Sequence, residues 1–180
     1  MVVLVCGGAA SGKSGVAEDI ASSLSEKRTY VATMRNDGPE AAERIERHRE
    51  RRAHLGFDTV ECPDTLAWLT VSDQFGGVAL LDDLGNLCAN ALFAPDGSMR
   101  DVVEVRIRLE EELAAFTHAF EHVVAVVDEV GSEGASSSEA INTWIQLVGS
   151  LSATFASISD AVVEVTSGIP TYVKGEPWWS

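Results

Sequence analysis

Basic residues are scarce in this chain. Lysine and arginine number 13 against 28 aspartates and glutamates, so its 180 residues carry a formal charge of −15. The deficit is uneven. Positions 1–60 hold nine residues of each sign, whereas positions 61–180 hold four basic and 19 acidic ones. A surface for a polyanion needs clustered Lys and Arg, which excludes nucleic acid as a partner. A small anionic ligand remains compatible, provided that it sits in the neutral first third. No apolar run reaches the roughly 18 residues of a membrane span. The opening MVVLVCGGAASGKS has no basic stretch before its short apolar run, unlike a signal peptide. The expectation is a cytoplasmic protein without an integral membrane segment. Cysteine is also rare. Cys6, Cys62 and Cys88 show no CxxC spacing and read as reduced, mostly buried thiols. There is no internal repeat and no linker composition, so positions 1–180 read as one domain. A chain of this length buries roughly 70% of its unfolded surface and needs no disulfide or structural metal.

What is present is an alternation of short apolar runs and helical patterns. Strands are predicted over 1–6, 29–33, 57–61, 78–83, 122–127, 161–166 and 171–174. Helices are predicted over 13–25, 39–55, 64–72, 84–93, 99–120 and 139–159. Pro39 suits a first helical turn and Gly56 a helix end. Ala94-Pro95-Asp96-Gly97 is a turn, and Gly131–Ser138 a loop. The alternation predicts an α/β fold, a mostly parallel sheet with helices on both faces. The last two strands are too close for a crossover helix, so they form an antiparallel edge hairpin.

Between the first strand and the first helix lies Gly7-Gly8-Ala9-Ala10-Ser11-Gly12-Lys13-Ser14, which fits GxxxxGK[ST]. Such a loop wraps phosphate oxygens in backbone N–H groups and aims a helix N-terminus at them. Lys13 would reach the β- and γ-phosphates, and the Ser14 hydroxyl would sit on Mg²⁺. Asp82 and Asp83 end the apolar run VALL. A carboxylate there is either a metal-associated acid or a helix N-cap, and Asp82 is preferred for the metal role. His48 lies in a helix crowded with arginines and shares a stripe with Ala41, Ile45, Arg52 and Leu55. Alternating Arg and Glu here favours an ion-paired, solvated face. The same arginines would also suit a histidine that attacks a phosphate. His118 and His122 read as surface residues. Trp178-Trp179 caps an apolar patch or makes a subunit contact.

The order GGAASGKS, YVAT, RIERHRERR, TVEC, LLDD, NALF, DEVG and SGIP…VKG resembles the bifunctional adenosylcobinamide kinase / adenosylcobinamide-phosphate guanylyltransferase family of cobalamin biosynthesis. The resemblance implies a P-loop fold similar to RecA, usually assembled as a homotrimer. It implies phosphorylation of a corrinoid hydroxyl by GTP or ATP. GMP transfer from GTP would follow, through a phosphoramidate on a histidine, which by motif position is His48. It also implies nucleotide contacts at Gly7, Gly8, Ala9, Ala10, Ser11, Gly12, Lys13 and Ser14, at Ala32, Thr33 and Met34, at Arg49, Glu50, Arg51 and Arg52, and at Glu61 and Asp82. Ser14 and Asp82 would serve Mg²⁺. The second half departs from the pattern. Asp128 stands where the family usually has Asn, and Ser136-Ser137-Ser138 replaces a Pro-Glu-Asn-like stretch. The alternatives are a nucleotide-binding regulatory or degenerate member, and another P-loop small-molecule kinase.

Overall fold

The computed structural model describes residues 1–36, 38–71, 75–131, 134 and 136–179; for Pro39, Glu40, Ala41, Arg44, His48, Arg51 and Arg52 it describes the main chain alone. Its strands are β1 (Val2–Gly7), β2 (Arg28–Ala32), β3 (Phe57–Glu61), β4 (Val78–Asp82), β5 (His122–Asp128), β6 (Ala161–Thr166) and β7 (Ile169–Lys174). Its α-helices are α1 (Lys13–Leu24), α2 (Pro39–Arg52), α3 (Leu84–Leu92), α4 (Val102–Ala119) and α5 (Glu139–Ile158). One sheet runs β3-β2-β4-β5-β1-β6-β7, and every pairing is parallel except β6 with β7. The sheet therefore has the expected α/β architecture, with the antiparallel hairpin at one edge.

Strand alternation divides the core between the two faces. In β1, Val3 and Val5 face α1, where they join Val16, Ile20, Val124 and Val126. Leu4 faces the other way, with Leu81, Ala125, Leu109, Phe116, Leu147 and Phe155 beneath α3, α4 and α5. Central strands buried on both faces need apolar residues at every position, which explains why β1, β4 and β5 read as unbroken apolar runs. Trp179 packs onto the α1-side core, and Trp178 meets Tyr172 edge-on at 5.5 Å. The C-terminal tryptophans thus cap an apolar patch of their own chain.

Three local expectations need correction. The helix expected over 64–72 is only a 3₁₀ turn, Leu69–Val71, and Ser72 lies outside the described residues. Side chains satisfy its backbone instead of a helical ladder. The Leu66 amide donates to Glu112 Oε2 at 2.8 Å, and the Ala67 amide donates to Thr65 Oγ1 at 3.1 Å. α4 begins at Val102, because Asp101 accepts from the amides of Val103 and Glu104 and caps the helix there. Met99 instead bridges to Phe93. β7 begins at Ile169, two residues early. Ser167 (φ 52) and Gly168 (φ 80) alone make the turn, and Pro170 is tolerated on an edge strand. Within the expected loop over 131–138, Ser132, Glu133 and Ala135 lie outside the described residues.

Candidate functional site

β1 delivers the chain to Gly7, and α1 starts at Lys13. The loop between them is tight. The Ser11 amide donates to the Gly8 carbonyl at 3.2 Å, and Gly12 adopts φ 91 as it enters the helix. A Cβ on Gly7 would lie 2.4 Å from the Val165 carbonyl oxygen, so this position admits no side chain. α1 has no side-chain cap and no acid in its first turn. By contrast, α3, α4 and α5 are capped by Asp83, Asp101 and Ser138. The first N–H groups of α1 are therefore left for a ligand, and its dipole favours an anion.

The loop forms one wall of a cleft of about 590 Å³. Ala9, Ala10, Ser11, Gly12, Lys13 and Ser14 line it, with Ala32 and Met34 from the end of β2, Glu61 from β3 and Asp82 from β4. α2 contributes Ile45, Arg47 and Arg49. Arg49 donates to Glu61 Oε1 at 2.8 Å, which fastens the basic helix to the end of β3. Of the expected residues, Gly7, Gly8, Thr33 and Glu50 do not line the cleft; Thr33 is fully buried, and Glu50 is an exposed residue of α2. The side chains of His48, Arg51 and Arg52 lie outside the described residues. The backbone of His48 sits in unbroken helix between Arg47 and Arg49, three residues after Ile45.

Asp82 and Asp83 differ in their surroundings, and of the two Asp83 is the helix N-cap. Asp83 is the N-cap of α3, accepting from the Asn86 amide at 2.7 Å and from Asn86 Nδ2 at 3.0 Å. Burial first, and the Asp82 carboxylate second, push the Asp83 carboxyl up to about 7. Thr33 Oγ1 donates to the Asp83 carbonyl and accepts from the Asp83 amide, both at 2.8 Å, which fixes this corner. Asp82 accepts from the Tyr30 hydroxyl and lines the cleft. Among the described residues, no group of three His, Cys, Asp or Glu forms a metal cage. The oxygen donors Ser14 and Asp82 do suit Mg²⁺, which takes one or two protein ligands together with substrate phosphates.

Sequence reasoning missed Tyr30, Arg47, Asn86 and Asp128 as cleft residues. Tyr30 precedes Ala32 by two positions and so shares its strand face, a signal that was available. Asp128 ends the strand next to β1, where the acidic end of a parallel strand also marked it. The thiols of Cys62 and Cys88 are buried, and that of Cys6 is half-buried. Burial pushes both Cys62 and Cys88 up to about 12.

The model of the family described as "Cobinamide kinase / cobinamide phosphate guanyltransferase" matches residues 3–173. This chain belongs to that family. It is 32% identical over 177 residues to the bifunctional adenosylcobalamin biosynthesis protein CobP of Pseudomonas aeruginosa, covering 97% of this chain and 98% of that one. It is 30% identical over 184 residues to the corresponding protein CobU of Salmonella typhimurium, covering 97% and 100%. It is therefore an enzyme of the transferase class. Among solved structures it resembles an ATP synthase subunit, NeqB, of Nanoarcheaum equitans, with a TM-score of 0.51 and 8% identity over 92% of this chain and 45% of that one. That likeness concerns the fold alone, a RecA-like P-loop sheet. Among the described residues, no helix is long and apolar enough to cross a membrane.

Proposed function

We propose that this protein phosphorylates adenosylcobinamide and then transfers GMP from GTP to the resulting phosphate through a guanylyl-histidine at His48. The observation that carries the reading is that one cleft is lined both by the uncapped start of α1 and by the arginine-rich α2. In the kinase step the corrinoid hydroxyl oxygen attacks the γ-phosphorus of GTP or ATP. The bond to the β-γ bridging oxygen breaks, and the nucleoside diphosphate leaves. Backbone N–H groups of the loop and the Lys13 ammonium offset charge on the transferred group. Ser14 and Asp82 would hold Mg²⁺ together with the phosphates, and the ion would supply further positive charge there. In the second reaction the neutral imidazole of His48 attacks the α-phosphorus of GTP, and pyrophosphate leaves. A phosphate oxygen of the corrinoid then displaces the imidazole, which joins GMP to it through a diphosphate. Arg47 and Arg49, which line the cleft, would offset charge on the α-phosphate.

Three free cysteines suit a reducing cytoplasm, and the family resemblance suits a homotrimer. The test is incubation with α-labelled GTP and Mg²⁺, followed by denaturation and mapping. Label should sit on His48, survive alkali and disappear in mild acid. His48→Asn should abolish labelling yet spare phosphoryl transfer to the hydroxyl. Label that persists in this variant, or maps to Lys13 or His54, would return His48 to an ion-paired helix face.

A further inference from the structure

Asp128 is the last residue of β5, and the parallel register sets it beside Gly7 at the end of β1. Its carboxylate is 41% exposed, lines the cleft and pairs with the ammonium of Lys13, whose side chain is only 9% exposed. The same ammonium donates to the Gly8 carbonyl at 3.2 Å. Lys13 is thus held by two oxygens of its own chain, one on the phosphate loop and one across from it on β5.

The surrounding charges oppose a bare polyphosphate. Among the described lining residues, the cations are Lys13, Arg47 and Arg49, and the acids are Glu61, Asp82, Asp83 and Asp128. Arg49 is engaged by Glu61 at the far side. Near the loop, Lys13 pairs with Asp128, and Asp82, Asp128 and Lys13 each act electrostatically on Asp83. A terminal phosphate that takes Lys13 must share it with Asp128 or displace it. Either way a carboxylate with less than its full counter-charge lies beside a phosphate of like sign. In a partly desolvated cleft such a pair is costly. A divalent cation carried on the phosphates lowers the cost, because the carboxylate then faces a complex of smaller negative charge.

We propose that Asp128 is a specificity-determining residue that makes this cleft reject free polyphosphates and accept their divalent-cation complexes. The inference rests on the nucleotide-site reading above. It is tested by calorimetric titration of the full chain with GTP, once with excess Mg²⁺ and once with EDTA. Wild type, Asp128→Asn and Asp128→Ser are compared, and circular dichroism confirms that each is folded. Two neutral side chains of different size separate loss of charge from altered packing. Both variants should bind metal-free GTP more tightly than wild type, and the preference for Mg²⁺·GTP over free GTP should fall about tenfold or more. An unchanged preference in both folded variants, or weaker metal-free binding, would overturn the role of Asp128. Absence of GTP binding by wild type in either buffer would overturn the nucleotide-site reading itself, a result distinct from an unchanged preference.

Discussion

Asp82 and Asp83 are chain neighbours with different chemistry, and hydrogen bonding makes the difference. The oxygens of Asp83 are taken by Asn86 under the start of α3, whereas Asp82 lines the cleft beside Tyr30. Sequence alone preferred Asp82 for the metal role but excluded neither role for either residue, because Asp serves both as N-cap and as metal ligand. The buried cap has a measurable consequence. With its carboxyl raised from 3.8 to about 7, folded Asp83 binds more protons than unfolded Asp83 between those values. Its contribution to stability is therefore complete below about pH 4 and is lost as the pH rises through about 7. Asn keeps a capping acceptor and cannot titrate. Without metal or nucleotide, Asp83→Asn should lose less melting temperature than wild type between about pH 5 and pH 8. Parallel melting curves across that range would contradict the assignment.

Among elements, those with redundant signals were legible in advance. The apolar runs of β1, β4 and β5 and the glycine-rich entry to α1 each had one physical explanation. The segment over 64–72 did not, because its backbone donors are satisfied by Glu112 and Thr65, and Glu112 is distant in sequence. The start of α4 was misread for the opposite reason: its apolar pattern extends back to Met99, but the Asp101 cap overrides it. Of the site, the phosphate loop was legible and Tyr30 could be read from the strand face it shares with Ala32, while Asn86 became visible only in the fold. The contact between β6 and the loop was equally hidden. The Gly168 amide donates to the Ser11 carbonyl at 2.7 Å, and the Val165 carbonyl fills the place of a Gly7 Cβ. Gly7→Ala must push β1 from β6 or deform the loop. It should cost about 1–3 kcal/mol in urea denaturation and weaken nucleotide binding as well. A variant with wild-type stability and affinity would show that the loop and β6 move apart freely.

At the scale of the molecule, charge and apolar surface act in opposite directions. A charge of −15, all of it arising after position 60, opposes self-association. Yet Val103 and Ile107, one turn apart on α4, are each about half exposed, with Met99 nearby in sequence also exposed. On the open edge of the sheet, Ile169 and Val173 of β7 are more exposed still. Unpaired β7 backbone beside such side chains can accept a further strand unless something covers it. The C-terminal tryptophans do not serve as a free anchor, since Trp179 already packs on the α1-side core. If this enzyme assembles as its family resemblance implies, apolar contact must overcome charge repulsion. Salt screens the repulsion over about 8–10 Å at physiological ionic strength and leaves the apolar term intact. The expected outcome in light scattering is a homotrimer whose share rises from low to moderate salt. Replacing Val103 and Ile107 on α4, or Ile169 and Val173 on β7, with Lys should reduce it on whichever face forms the contact. A species of single-chain mass at all micromolar concentrations and both salts would leave those residues as ordinary exposed apolar surface.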